Sequence, residues 1–209
     1  MRSLIRVAWC GALASSVLLT ACSDGQALSE KYPTQWKTCN TLFGAKNMES
    51  LRDIVGPDDL KLANSALSVD ELKDGLTEEA LEPYDRNKGF DEYEVCRLSG
   101  DHRFSAMVAW AADSLKAVQT YTERWNRVGT DVYVASNTLI HMVFRCEIKG
   151  AASGQQEQVL LDVRIPEVSS PKFSEAFHEQ LTVKLARTLR DELACANNPD
   201  IPDDLAISG

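Results

Sequence analysis

The sequence predicts an α+β domain: an antiparallel sheet with helices packed on it, stapled by two disulfides. Three observations carry that expectation. Apolar and polar residues alternate in two late segments, the mark of half-buried strands. Apolar residues then recur every four positions, the mark of an amphipathic helix. Four cysteines lie dozens of residues apart in a chain that opens like an exported one.

The elements follow in chain order. Around Cys39, TCNTLFGAKNMESLRDIVG predicts one or two short helices ending at Gly56-Pro57, a stop signal. Ser68-Val69-Asp70-Glu71 has the S-x-x-E spacing of a capping box and opens a helix running to about Glu82, before Pro83. Strands are expected at 92–98 and 104–111, and a helix over 114–125, SLKAVQTYTERW. In TLIHMVFRCEI, residues Ile140, Met142, Phe144, Cys146 and Ile148 share one face, while His141, Arg145 and Glu147 take the other. After the glycine-bearing turn KGAASGQQ, QVLLDVRI sets Val159, Leu161, Val163 and Ile165 opposite Asp162 and Arg164. The pair reads as an antiparallel hairpin. Ser170-Pro171 then offers an N-cap with proline at the first helical position. Phe173, Phe177, Leu181, Leu185, Leu189 and Leu193 form the apolar stripe of the last helix.

Cys39, Cys96, Cys146 and Cys195 lack the close C-x-x-C pairing and neighbouring histidines of a zinc site, so two disulfides are expected. Three connectivities are open. The layout favours Cys39–Cys96 and Cys146–Cys195, each joining a helix to a strand across about fifty residues, which the chain-entropy view values at roughly 4 kcal/mol.

The N-terminus reads as a processing signal over residues 1–21. MRSLIR carries Arg2 and Arg6 and no acid, and an apolar run follows from Val7 to Ala21. That run is short of the roughly twenty residues that span a bilayer, and no later run approaches that length. Leu19-Thr20-Ala21-Cys22 resembles the lipobox of bacterial lipoproteins. The resemblance implies a diacylglyceryl thioether on the Cys22 sulfur, cleavage just before it, and loss of Cys10 with the signal. Residues 22–35, polar and containing Pro33, read as a flexible tether. Residues 36–196 read as the single domain and 197–209 as a polar, disordered tail.

The lipobox, TCNTLFG, EVCRL and the unit from FRCEIKG to ELACANN together resemble small actinobacterial lipoproteins, the first half being most similar to those of the DUF3558 type. The resemblance implies an antiparallel α+β domain of the Mog1/PsbP type and carries over no catalytic residue.

Removing residues 1–21 leaves 188 of 209 residues, enough for one core. It removes two arginines and no acid, so the charge moves from −9 to −11. Such acidity argues against a nucleic-acid or anionic-lipid partner. No phosphate loop, dinucleotide fingerprint or serine-nucleophile elbow is present. HEQLT at 178–182 has Thr182 where a zinc protease has its second histidine, so no metal is expected and His178 is assigned to the solvent face. DRNKGFDEYEVC at 85–96 spaces Asp85, Asn87 and Gly89 like a calcium loop, yet Phe90 and Cys96 replace its turn glycine and bidentate glutamate. A polar loop is the expectation there, and no cofactor is implied. Trp36, Trp110 and Trp125 are candidates to line a ligand pocket, with Trp110 in a strand and Trp125 late in a helix more simply core residues.

His141, Arg145, Glu147, Asp162 and Arg164 remain as one charged cluster on the outer face of the hairpin. Cross-strand ion pairs on a solvated sheet face are the commoner reading of such a cluster; a recognition face for a partner protein is the alternative, ahead of an acid–base site. The leading expectation is a non-enzymatic interaction or accessory module, held by its Cys22 lipid to the outer face of the cell membrane. A small-ligand carrier with a pocket between sheet and C-terminal helix is the second, and a hydrolase built around His141 the third.

Overall fold

The computed structural model describes residues 24–56, 60–62, 67–82, 89–136, 139–151 and 159–205. The processing signal, the lipobox with Cys22, and Asp85 and Asn87 of the calcium-like segment lie outside them.

Three helices come first: α1 (Asp24–Lys31), α2 (Pro33–Phe43) and α3 (Ala45–Val55). Gly44 (φ 83°) and Gly56 (φ 101°) end the second and third in left-handed geometry that glycine adopts without strain. The tether expected over 22–35 is therefore helical from Asp24, and Leu28 and Tyr32 pack against the core. Pro33 starts α2 rather than marking a flexible segment, since a first-turn position needs no amide hydrogen. After a short strand β1 (Lys61–Leu62), helix α4 (Val69–Leu81) opens on the expected capping box: the Ser68 hydroxyl accepts from the Glu71 amide and the Glu71 carboxylate accepts from the Ser68 amide.

Strands β2 (Tyr93–Ser99) and β3 (Arg103–Trp110) form the first hairpin. Helix α5 covers only Leu115–Thr120, half the predicted length, because Thr120, Tyr121 and Thr122 are weak helix formers and Tyr121 turns the chain. Two strands unforeseen in the sequence follow, β4 (Asn126–Gly129) and β5 (Val132–Ser136), then β6 (Leu139–Phe144), β7 (Leu161–Pro166) and helix α6 (Glu175–Glu192). All pairs are antiparallel, in the order β1-β2-β3-β7-β6-β5-β4. The last strand thus closes the sheet between the early hairpin and the β4–β6 meander.

Helices α2, α3, α4 and α6 cover one face. Their apolar sides bury Leu42, Met48, Leu51, Leu72, Leu76, Leu181, Leu185 and Leu189 against Phe104, Val108, Met142, Phe144, Val163 and Ile165. The space beneath the C-terminal helix, expected to hold a carrier's pocket, is filled by these side chains. Among the described residues, the opposite face carries α5 and the turn after it, packed as a small second core of Val118, Trp125, Tyr133, Val143 and Leu160.

Both disulfides join in the favoured pairing, Cys39–Cys96 and Cys146–Cys195. A bulge makes the first possible. Glu94 pairs with Met107 and Cys96 with Ala106, so Val95 is the extra residue and the alternation restarts after it. Without that slip Cys96 would face away from α2. The second bridge ends β6 early. Beyond Phe144 the backbone turns from β7 to the stretch after α6: the Glu147 amide donates to the Asn197 side chain, Asn197 donates to the Arg145 carbonyl, and the Ala196 amide donates to the Glu147 carbonyl.

Helix α6 departs from expectation at both ends. Ser170-Pro171 makes a turn, with the Phe173 amide donating to the Ser170 carbonyl, and the N-cap is Ser174, whose hydroxyl accepts from the Phe177 amide. At the other end Cys195 and Ala194 amides donate to the Arg190 and Asp191 carbonyls, a Schellman closure with alanine at the left-handed position (φ 49°). The expected disordered tail is docked as far as Leu205: Ile201 and Leu205 are buried, and Arg187 donates to the Ile201 carbonyl. Residues 206–209 lie outside the described part.

Candidate functional site

The open face of the sheet owes its chemistry to strand alternation. On β6, Ile140 and Met142 point into the main core, so His141 and Val143 point away from it. On β7, Leu161, Val163 and Ile165 take the core, so Asp162 and Arg164 share the open face. Register then sets neighbours: Arg164 lies opposite His141, and Asp162 lies between Val143 and Ala109 of β3. The small Ala109 leaves room beside Asp162. Over this patch the turn after α5 folds Trp125, whose ring meets the His141 ring at 4.7 Å between centroids and 64° between planes.

Asp162 is 5% exposed. His141 Nε2 stands 2.8 Å from its Oδ1, and Arg164 Nε 3.3 Å from its Oδ2. Both are close polar contacts that do not line up as hydrogen bonds. Arg164 also pairs with Glu92, just before β2. On the other side the Arg124 guanidinium lies 5.2 Å from the Trp125 ring centroid and 3.4 Å from Asp113. Between these groups runs a cleft of about 640 Å³, with Phe90, Trp110 and Trp125 among its walls, within the size range of small-ligand sites.

Trp125 Nε1, His141 Nε2, Asp162 Oδ1 and Arg164 Nε, all on residues that line this cleft, are buried polar atoms with no aligned hydrogen-bond partner among the described residues. Buried polar atoms are ordinarily satisfied, so their grouping here, three of them around Asp162, makes this cleft the candidate site. A carboxylate behind a histidine is the base-and-orienter part of a nucleophilic triad. Among the described residues, no serine, threonine or cysteine lines the cleft to complete it.

The structure divides the five residues of the predicted recognition face. His141, Asp162 and Arg164 come together. Arg145 and Glu147 do not: with β6 ended at Phe144 they pair with each other at 2.6 Å, and Arg145 also reaches Asp131 at 3.7 Å. Sequence reasoning missed Glu92, Asp113 and Arg124, which enter from loops. Trp125, for which the sequence offered both a core and a pocket-lining role, is buried and lines the cleft.

His178 is not on the solvent face. It is 5% exposed, lies against Phe173, and its Nε2 donates to the Ile165 carbonyl at 2.6 Å. Burial pushes its pKa below the ordinary histidine range, against the opposing pull of that hydrogen bond and of Glu167 and Glu175. The neighbouring Glu179 is pushed up by burial, and its hydrogen bond from the Leu205 backbone works the other way. Glu179, Arg187 and Asp203 line a second cavity of about 650 Å³, but their polar groups serve to dock the tail. No three His, Cys, Asp or Glu side chains among the described residues are grouped to hold a metal ion. No described helix is long and apolar enough to cross a membrane.

No protein-family model, curated protein sequence or solved structure matches this chain at a significant level.

Proposed function

We propose that this chain is a lipid-anchored, extracytoplasmic binding module of the cell envelope, without catalytic activity, and that it takes its partner at the Trp125–His141 cleft. The two disulfides are consistent with folding in an oxidising, extracytoplasmic compartment. The lipobox at Cys22 supplies the anchor. The observation that carries the binding reading is the cleft itself, about 640 Å³, ordered around a buried Asp162 that holds His141 and Arg164. A site ordered before its guest arrives loses less freedom on binding.

In-cell crosslinking with mass spectrometry on the intact chain tests this, with Cys22→Ala as the unanchored control and Arg164→Ala as the cleft control. The expected result is one dominant envelope partner, lost in both controls. Membrane attachment unchanged in Cys22→Ala overturns the anchor, and a partner that persists in Arg164→Ala overturns the cleft. A small-ligand carrier is the second reading, favoured by the cleft volume of about 640 Å³. A ligand carried through purification and released by denaturation would favour it over the first.

A further inference from the structure

We infer that the cleft receives an organic cation, an ammonium or guanidinium group on an apolar stem, and that Arg124 fills its place in the free protein. The inference rests on the binding reading above and names the chemistry of the guest.

Arg124 sits as such a guest would. Its guanidinium lies over the Trp125 ring at 5.2 Å and against Asp113 at 3.4 Å, an aromatic face and a carboxylate meeting one cation. Yet Arg124 is weakly held. Its side chain is 57% exposed, and exposed ion pairs and exposed cation–π contacts are individually small. Arg164, by contrast, is 27% exposed and pairs with both Asp162 and Glu92.

Charge decides the sign of the guest. Glu92, Asp113 and Asp162 stand against Arg124 and Arg164, so the cleft is already short of cations. With Arg124 swung out, three carboxylates face one guanidinium. An anion entering would meet all three, and the chain as a whole carries −9, which attracts cations from a distance. Trp125, which lines the cleft, offers ring surface to the stem. Exchanging one cation for another over Trp125 leaves the charge balance of the cleft unchanged, so the exchange is set by how well each cation fits.

The same chemistry is available from a free amine or from an arginine or lysine side chain of a partner protein. Calorimetric titration of the purified full chain at low ionic strength separates them, using agmatine, tetramethylammonium and a Gly-Arg-Gly amide, with butyrate and glucose as controls. The expected result is binding of the cations and not of the controls. Arg124→Ala should bind agmatine about fivefold more tightly, by removing the resident cation, and Asp113→Asn should weaken binding by a similar factor. A tripeptide at least tenfold tighter than agmatine assigns the cation to a partner protein; equal or weaker binding assigns it to a free amine. Weaker agmatine binding by Arg124→Ala, or binding of butyrate in preference to agmatine, overturns the cation inference while leaving the cleft a binding site. No binding by any probe, together with crosslinks indifferent to Arg164→Ala, overturns both. Both substituted side chains are at least a third exposed, and an unchanged unfolding midpoint verifies that the variants are folded.

Discussion

Asp162→Ala removes the group around which the cleft is organised. The carboxylate is 5% exposed and contacts His141 Nε2 at 2.8 Å and Arg164 Nε at 3.3 Å. Taking one partner from a buried charge pair costs about 3–5 kcal/mol when the other charge is left stranded. Here the loss is smaller, because Arg164 keeps Glu92 and reaches solvent. The expected cost is therefore about 2–3 kcal/mol, which lowers the melting temperature of a chain this size by about 4–12 °C. Asp162→Asn keeps the volume and one acceptor oxygen and should cost about 1 kcal/mol. Thermal and urea unfolding followed by circular dichroism, with disulfides intact, measures both. A double-mutant cycle with Arg164→Met should return a coupling above about 0.5 kcal/mol. The exposed pair Arg124–Asp113 is the internal control: Asp113→Ala should cost under about 1 kcal/mol. If Asp162→Ala costs no more than Asp113→Ala, or couples to neither His141 nor Arg164, the cleft is not pre-ordered and the binding reading loses its support.

Three further outcomes follow from the rest of the structure. His178 has its pKa lowered in the folded state by burial, so its contribution is fully present above the unfolded value near 6.5 and is lost as pH falls from there towards the lowered folded value, by up to about 1.4 kcal/mol per pH unit. Urea midpoints at pH 7.5, 6.0 and 5.0 should drop more steeply for the native chain than for His178→Gln; parallel lines refute the assignment. Ending the chain after Asn197 uncovers the surfaces buried by Ile201 and Leu205 and should cost about 3–5 kcal/mol, whereas a disordered tail would cost nothing. Cys195→Ala should lower stability by about 4 kcal/mol on the chain-entropy estimate for a separation of 49 residues, and should leave Cys146 unreactive to thiol reagents until the protein is unfolded, since its side chain is buried. Labelling of Cys39 or Cys96 instead would mean that the bridges can re-pair.

Much of the site was legible in strand alternation. Period two places His141, Asp162 and Arg164 on a face away from Ile140, Met142, Val163 and Ile165, and it needs no knowledge of the rest of the fold. The same rule overreached at Arg145 and Glu147, because it says nothing of where a strand stops; there Asn197 and Ala196 bond the Arg145 and Glu147 backbone groups instead of a neighbouring strand. Strand β5 carried a readable signal in Val132-Tyr133-Val134 after the turn at Gly129–Asp131. Ile201 and Leu205, alone in a polar stretch, carried almost none.

The sequence by itself determined what depends on near neighbours and composition: the capping box at Ser68, the apolar faces of β6, β7 and α6, the α+β class, and the even set of widely spaced cysteines. Only the tertiary structure decided what depends on which surface arrives opposite. It buried His178, because the Ile165 carbonyl was there to accept its proton. It moved Cys96 to the inner face through the bulge at Val95. It built the cleft from Glu92, Asp113, Arg124 and Trp125, which share no local pattern and are brought to one place only when β7 pairs with β3 and β6. Local signals act over a turn or a strand, whereas a site's charge balance and burial are properties of a face, and a face exists only once the sheet has closed.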